Sequence, residues 1–268
     1  MKKEETIRKT IASLEVCFEQ LLRYVEQPKI VEDESYPRWR FPNEGVAEAA
    51  LLKGARIISA LNALIILLRS EHVQEMGVIC RTIDEFFSDI AFLLEGFPKK
   101  ELSATQQKFL DDFYQEEFDK PENPLESTQK RKTVSRKKMH ASMGRTLGDI
   151  VDPQQGQELF STLFKTFSGY VHGAYPHVME LYGGNPPKFH LDGMLNTPRD
   201  NEAVQNSMHY FYRGILALMF IALAFENPSI FDDLKKVRDE FEKETGYVPT
   251  GALGNVIHLR DGTKKTKK

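Results

Sequence analysis

Apolar residues recur at spacings of three and four along most of this chain, which is the pattern of amphipathic helices. In the first segment, from about Glu4 to Glu26, six side chains keep that spacing: Ile7, Ile11, Leu14, Phe18, Leu21 and Val25. Two longer segments, roughly 44–69 and 71–96, are rich in Ala, Leu, Ile and Phe and predict central helices. Sustained alternation with a period of two, which would indicate strands, is absent. The sequence therefore predicts an all-α fold.

Later helices are marked by their start signals. Ser103 and Gln106 form a capping box, and the pairs 152–153 and 197–198 each place a capping side chain before a proline suited to the first helical turn. Five further helices are expected to begin near residues 103, 137, 152, 197 and 229. The prediction is a single-domain bundle of about eight helices over residues 1–250. Residues 251–268 form a basic C-terminal tail that we expect to be disordered.

Two stretches interrupt the helical pattern. Residues 27–43 contain several prolines, which argue against both a helix and a central strand. Trp39 and Phe41 either pin this loop in the core or, together with neighbouring arginines, flank a ligand. Residues 188–195 are expected to form a short extended piece.

Composition narrows the class of protein. Hydrophobic residues make up 41% of the 268 positions, enough for a substantial core. Cys17 and Cys80 both lie in apolar helical segments, which favours buried thiols in a reducing compartment over a disulfide. The longest apolar run, 215–225, is too short to span a bilayer, and the N-terminus does not resemble a targeting peptide. We expect a cytoplasmic protein with no membrane partner.

Charge is distributed unevenly although the net charge is only −3. Residues 111–126 are acidic, and residues 130–145 are basic without one acid. Six cations of the basic block are candidates for binding nucleic acid: Lys130, Arg131, Lys132, Arg136, Lys137 and Lys138. Such a block attracts phosphate backbones in a salt-dependent way. The alternative is a solvated loop that lies against the acidic fourth helix.

A polar group of residues ends the helix expected from residue 152. Ser168 and His172 lie one turn apart, and Pro176 cannot donate the hydrogen bond that the His172 carbonyl would accept in a helix. We therefore expect irregular backbone beside a titratable side chain. Tyr170 and His177 add polar groups nearby and are candidate ligand contacts. His172 is a candidate general acid or base, or a structural histidine that bonds Ser168.

Charged residues also occur inside apolar helices. Arg81 and Glu85 lie four residues apart in the third helix, so they are expected either to pair with each other or to hold an anion. His209 and Arg213 repeat this one-turn spacing in the most apolar helix. They are expected either to join Arg81, Glu85 and His172 in one polar centre or to face solvent.

Motifs for metals and cofactors are not found. The histidines at 172, 177 and 190 match no strong ligand spacing, and no dinucleotide fingerprint or Walker loop occurs. We therefore expect neither a metal nor a cofactor, and any nucleotide would be held by side chains and helix ends.

The residues 81–85, followed far downstream by Ser168, Tyr170 and 171–173, resemble a group of prokaryotic helical proteins similar to the HEPN superfamily. That resemblance implies an all-α core, dimerisation, and a link to ribonucleases, toxin and antitoxin pairs and phage defence. In the superfamily's ribonucleases an arginine precedes a histidine on one helix, five to seven residues apart. Here that spacing does not occur, so His172 is carried over as the histidine and Arg81 supplies the charge from another helix.

Two hypotheses follow. In the first, the polar centre of Arg81, Glu85 and His172 binds RNA or another phosphate-bearing ligand, with metal-independent ribonuclease activity as its extension. In the second, the same residues form a structural network in a non-catalytic interaction module. Its apolar helices would then contact a second copy or a partner protein.

Overall fold

Helices dominate the computed structural model, which confirms the all-α prediction. The structure describes residues 2–32, 37–98, 101–120, 122–131, 133–146, 152, 154, 157–158, 161–162, 165, 167–194 and 199–248. The α-helices in those ranges are α1 (Lys2–Leu22), α2 (Val46–Arg69), α3 (Val73–Leu93), α4 (Ala104–Tyr114), α5 (Arg136–Thr146), α6 (Ser168–Val171), α7 (Tyr175–Val178), α8 (Arg199–Ala224) and α9 (Pro228–Thr245). Short 3-10 turns span Pro124–Glu126 and Met179–Leu181. The tail 251–268 lies outside the described residues. At the start of the helix expected from residue 152, the Gln154 N–H donates to Asp152 Oδ1 at 3.0 Å, as the predicted cap requires.

The core lies between α1, α2, α3, α8 and α9, and α2 packs most extensively on α3. Its centre is made of fully buried aromatic and aliphatic side chains, including Phe211, Tyr212, Phe241, Leu61 and Leu64. Gly214 lets α8 approach α2 closely, since a Cβ atom there would lie 2.5 Å from Leu61 Cδ1. Cys17 and Cys80 are free, buried thiols, as the sequence predicts.

Capping interactions position the peripheral helix α4. The predicted capping box is present. The backbone N–H of Gln106 donates to the Ser103 hydroxyl, and the backbone N–H of Ser103 donates to Gln106 Oε1. The same Gln106 side chain donates to the carbonyls of Phe92 and Leu93, 2.9 and 3.2 Å away. These bonds satisfy carbonyls at the end of α3, which have no partner within the helix. One glutamine therefore begins α4 and attaches it to α3.

The loop predicted at 27–43 contains a hairpin. Strands β1 (Lys29–Val31) and β2 (Arg38–Arg40) pair antiparallel, with Ile30 opposite Trp39. The prediction that Trp39 pins this loop in the core is wrong, because Trp39 is 66% exposed. Arg38 and Arg40 hold the hairpin instead through ion pairs with Glu116, at 3.2 and 2.6 Å.

The backbone around His172 is irregular, as Pro176 predicts. Helix α6 ends at Val171, Gly173 has a φ of +61°, and Pro176 lies in the first turn of α7. Of the extended piece expected at 188–195, Lys188–Phe189 form β4, which pairs antiparallel with β3 (Tyr182–Gly183). Residues 168–194 thus form a compact unit of two helical turns and a hairpin.

Two helical segments, Val46–Arg69 and Ser207–Ala224, are long and apolar enough to cross a membrane by length and composition. Half of the most apolar window of the first and 83% of that of the second are buried inside the fold. Such burial is typical of core helices in a soluble protein.

Gly193 ties the 168–194 unit to the turn between α2 and α3. Its φ is +107°, a Cβ atom there would overlap the carbonyl oxygen of Ser70, and the next residue, Met194, donates its N–H to Glu71 O at 3.0 Å. We expect Gly193→Ala to lower the free energy of unfolding by about 1–3 kcal/mol through backbone strain. Limited proteolysis within 172–192 should also become faster.

Gly183→Ala is the matched control, because a Cβ atom at Gly183 meets nothing within 4 Å and its φ is ordinary. Chemical denaturation should place that variant within about 0.5 kcal/mol of the wild type. Equal effects of the two substitutions would contradict the close approach at Ser70.

Candidate functional site

Helix α3 carries a row of polar side chains on one face. Its members, here called the α3 polar row, are Arg81, Asp84, Glu85, Ser88 and Asp89. Spacings of three and four place them on a common face. All are buried except Glu85, whose side chain is 37% exposed. Because an unpaired buried charge is costly, the row requires partners from the surrounding helices.

The pairing predicted between Arg81 and Glu85 is confirmed, with Arg81 Nη2 2.8 Å from Glu85 Oε1. Burial lowers the pKa of Arg81, and the Glu85 carboxylate opposes this shift. A guanidinium remains protonated even so. The pair leaves Glu85 at the outer edge of the row, where Arg136 Nη2 of α5 lies 4.0 Å away.

Asp89 joins three helices. Lys53 Nζ of α2 lies 2.7 Å from Asp89 Oδ2, and Arg136 of α5 pairs with the other carboxylate oxygen. Both Lys53 and Asp89 are almost fully buried. The Lys53 ammonium also lies 4.5 Å from the ring centroid of Phe113, a distance typical of a cation–π contact. Removing Asp89 would therefore leave a buried ammonium without its counter-ion.

Asp84 joins the row to α8. It accepts a hydrogen bond from the Tyr210 hydroxyl at 3.1 Å and pairs with Arg213. The Arg213 guanidinium also lies over the Tyr210 ring, 4.8 Å from its centroid. Burial lowers the pKa of Arg213 to about 10. Arg213 is thus one of the inward-facing cations, so the interpretation of this position as a solvent-facing edge is wrong.

His209 lies one turn before Arg213 on α8. Its Nδ1 atom is 2.7 Å from the hydroxyl of Tyr247, and burial lowers its pKa. In the described part of the chain no contact joins His209 to Arg81 or Glu85. Arg213 therefore pairs with Asp84, whereas His209 bonds Tyr247, whose hydroxyl also lies within the electrostatic influence of Arg213.

The structure does not bring His172 to the polar row. Its side chain is exposed and makes no hydrogen bond, ion pair or ring contact with any described residue. Its backbone N–H donates to Ser168 O at 3.1 Å, while the side chains of Ser168 and His172 are not bonded to each other. The predicted grouping of His172 with Arg81 and Glu85 has no supporting contact.

Tyr170 and His177 attach the 168–194 unit to α3. A Cβ atom at Gly77 would lie 2.5 Å from the Tyr170 ring, and the Tyr170 hydroxyl donates to Glu180 at 2.6 Å. The ring centroids of Tyr170 and His177 are 4.5 Å apart, and the Gln74 side chain donates to His177 O at 2.6 Å. These contacts give both residues a packing role in this structure.

His140 is the titratable residue beside the row that the sequence interpretation missed. It is 2% exposed, with Nδ1 3.3 Å from Ser161 Oγ. Burial, followed by the positive charges of Arg136 and Arg81, lowers its pKa below the usual 6.5. The available signal was the spacing of four residues between Arg136 and His140, which places both on one face of α5.

The basic block divides into paired and unpaired cations. Arg131 contacts Asp112 and Glu117 at 3.0 and 2.7 Å, so the alternative of a loop lying against acidic residues is confirmed for this arginine. Lys130, Lys137 and Lys138 are exposed and have no side-chain partner among the described residues. Lys132 lies outside the described residues.

Candidate metal and cofactor ligands do not cluster in the described ranges. No group of three His, Cys, Asp or Glu side chains is close enough there to hold a metal ion. The two cysteines are inert thiols, because burial raises their pKa to about 11 at Cys17 and about 12 at Cys80. Among the described residues, the interactions that the row makes are ion pairs between carboxylates and guanidinium or ammonium groups.

The Asp84 pair offers a direct test of how the row stabilises the fold. Asp84→Asn leaves the buried Arg213 guanidinium without its carboxylate, and we expect a loss of about 3–5 kcal/mol in the free energy of unfolding. Asp233→Asn is the matched control, since it removes a carboxylate from an exposed pair with Lys236. That change should cost less than about 1 kcal/mol in urea denaturation. Similar losses in the two variants would contradict a buried pair.

The lowered pKa of His140 predicts a pH dependence of stability. The unfolded chain binds a proton at His140 at higher pH than the folded chain, so stability falls as pH drops below about 6.5. His140→Gln should reduce that slope by up to about 1.4 kcal/mol per pH unit. Denaturation at several pH values measures it, and parallel curves above pH 7 serve as the internal control. An unchanged slope below pH 6.5 would contradict the shift.

Comparison with family models, with curated proteins and with solved structures gives no match. The function therefore has to be inferred from the chemistry of the chain itself. Its two distinctive polar features are the paired α3 polar row and the unpaired lysines at the start of α5.

Proposed function

We propose that this protein binds a phosphate-bearing chain, RNA in the first instance, at the first turn of α5. The observation that carries the proposal is the pair Lys137 and Lys138, exposed at a helix N-terminus with no counter-ion among the described residues. Cations at that end are unfavourable because the helix dipole is positive there. A bound phosphate removes this repulsion and can accept a hydrogen bond from the Lys137 N–H, whereas the N–H groups of Lys138 and Met139 already donate to Ser135 O.

The carboxylates that contact arginines of the basic block, and the neighbouring Glu116, are already paired. Asp112 and Glu117 contact Arg131, Glu116 contacts Arg38 and Arg40, and Asp89 contacts Lys53 and Arg136. Lys130 adds a further unpaired charge in the preceding loop. The region therefore keeps a local excess of positive charge although the whole chain is slightly acidic. Local excess, not net charge, attracts a polyanion within a Debye length of about 8–10 Å.

Contacts of this kind recognise the phosphate backbone of the nucleic acid and not its bases. No aromatic residue lies among residues 130–146, so a stacking platform for bases is missing from that sequence. Lysine ammonium groups are point charges that bind any phosphate. We therefore infer binding that depends strongly on salt and weakly on sequence.

The geometry supports binding without cleavage. His140 lies beside two guanidinium groups, an arrangement suited to acid or base catalysis on a phosphate, but only 2% of it is exposed. A phosphate held by Lys137 and Lys138 at the surface would not contact that imidazole. We extend the proposal to a HEPN-like core and to a cytoplasmic location, which the two unpaired cysteines favour.

A second candidate function is a non-catalytic interaction module. The observation that favours it is that every acid of the α3 polar row has a cationic partner. A fully paired buried network acts as a support for the fold, since its charges are not available to a ligand. Under this interpretation the polar row is structural and function lies at the surface.

RNA binding is measured by fluorescence anisotropy with a labelled single-stranded oligonucleotide over a series of salt concentrations. We expect Lys137→Glu with Lys138→Glu to weaken binding at least about tenfold and to reduce the slope of log affinity against log salt by about 1–2. Lys236→Glu with Lys243→Glu, the same charge change on α9, should leave the affinity within about twofold. Equal losses in both double variants, or no binding by the wild type at low salt, would refute the proposal.

A further inference from the structure

A cleft separates the β1–β2 hairpin from the segment that follows α4. Its volume is about 410 Å³, which lies within the range of small-molecule sites in proteins. We call it the hairpin cleft. Side chains from both sides line it: Val31, Arg38 and Arg40 from the hairpin, and Glu116, Phe118 and Gln129 from the facing segment. These residues belong neither to the α3 polar row nor to the first turn of α5, so the cleft is a separate feature of the surface.

The strand register places the arginines of the hairpin at the cleft. Side chains alternate between the two faces of a strand, so Arg38 and Arg40 share one face of β2 and Trp39 lies on the other. Val31 stands opposite Arg38 in the register and therefore lies on the same face as the arginines. Of the residues predicted to flank a ligand in this loop, the arginines thus line the cleft.

Two guanidinium groups converge on one carboxylate in the hairpin cleft. Arg40 Nε and Nη2 donate to Glu116 Oε1 at 2.9 and 2.6 Å, and Arg38 Nη1 donates to Glu116 Oε2 at 3.2 Å. Forked contacts of this kind are how guanidinium groups recognise carboxylates. The Glu116 side chain is 52% exposed, and exposed ion pairs contribute little to stability. Unlike the buried carboxylates of the α3 polar row, that of Glu116 can therefore be exchanged for a carboxylate brought by a ligand.

Apolar walls indicate what kind of molecule carries that carboxylate. Val31 and Phe118 line the cleft and are 50% and 40% exposed. A ring that packs against them removes apolar surface from water, and aromatic pairs gain a further contribution from their geometry. Asp119 also lines the cleft, but its carboxylate accepts hydrogen bonds from Ser127 and Thr128, which lower its pKa. The polar groups left to recognise a ligand carboxylate are the two guanidinium groups.

We infer that the hairpin cleft binds a small aromatic carboxylate. The carboxylate of the ligand replaces that of Glu116 on Arg38 and Arg40. Its ring packs against Val31 and Phe118. Glu116 is then an internal competitor, which occupies the guanidinium groups while the ligand is absent. This inference does not depend on RNA binding, which uses α5.

Phenylacetate is the probe, and its binding to the full chain is measured by the fluorescence of Trp39. This residue is the only tryptophan in the sequence, and its carbonyl accepts a hydrogen bond from Arg40. We expect a saturable change in emission, and at least about tenfold weaker binding of acetate, which lacks the ring, and of phenylacetamide, which lacks the charge. Arg40→Met should weaken phenylacetate binding at least about tenfold. Glu116→Gln should strengthen it about two- to fivefold, because the internal competitor is removed.

Arg8→Met and Glu5→Gln are the matched controls, since each removes one member of an exposed ion pair on α1. Both should leave the affinity for phenylacetate within about twofold. All four variants should keep the circular dichroism of the wild type, because none of these side chains is part of the core. The absence of a saturable change in both the wild type and Glu116→Gln would overturn the inference, and so would weaker binding by Glu116→Gln. Equal losses in Arg8→Met and Arg40→Met, or equal binding of acetate and phenylacetate, would overturn it as well.

Discussion

The pairing of the acids on α3 is the interaction on which the surrounding architecture depends. Asp84, Glu85 and Asp89 lie on a helix that is rich in apolar residues, and the carboxylates of Asp84 and Asp89 are almost fully buried. Asp84 and Asp89 must each receive a cation from a neighbouring helix, since an isolated buried charge costs several kcal/mol, whereas Glu85 pairs with Arg81 of the same helix. Lys53 therefore fixes α2 to α3, while arginines from α5 and α8 fix those helices. The ion pairs specify which faces meet, and apolar burial supplies the driving force.

Local sequence patterns predict the helices and the ion pairs within one helix. They do not predict ion pairs whose two residues are distant in sequence. The Arg81 and Glu85 pair was predictable because its members lie one turn apart. Asp84 and Arg213 are brought together only by the packing of α3 on α8, so nothing near either residue reveals the pair. The β1–β2 hairpin was missed for the same reason, since its strands have three residues each and are held by Glu116 from another part of the chain.

At the candidate site, helical spacing also predicts a group of residues that the fold does not bring together. Ser168 and His172 were selected because they share one helical face and precede a proline, yet the helix ends at Val171 and His172 projects outward. His140 is indicated in the sequence only by its one-turn spacing from Arg136, yet it is this imidazole that the fold brings close to two guanidinium groups. Spacing reveals which residues can meet on one element. Burial decides which of them share a dielectric environment, and burial depends on the complete fold.

Pairing also separates the charges that support the fold from those available to a ligand. Arg131, Arg136 and Lys53 have carboxylate partners, so an incoming phosphate would have to displace a bond that is already formed. Lys137 and Lys138 have none, and their position opposes the dipole of α5. Replacing them by glutamate should therefore stabilise α5 while it removes phosphate binding. A gain in stability together with a loss of binding is the behaviour expected of functional residues, because local stability is commonly sacrificed at binding sites.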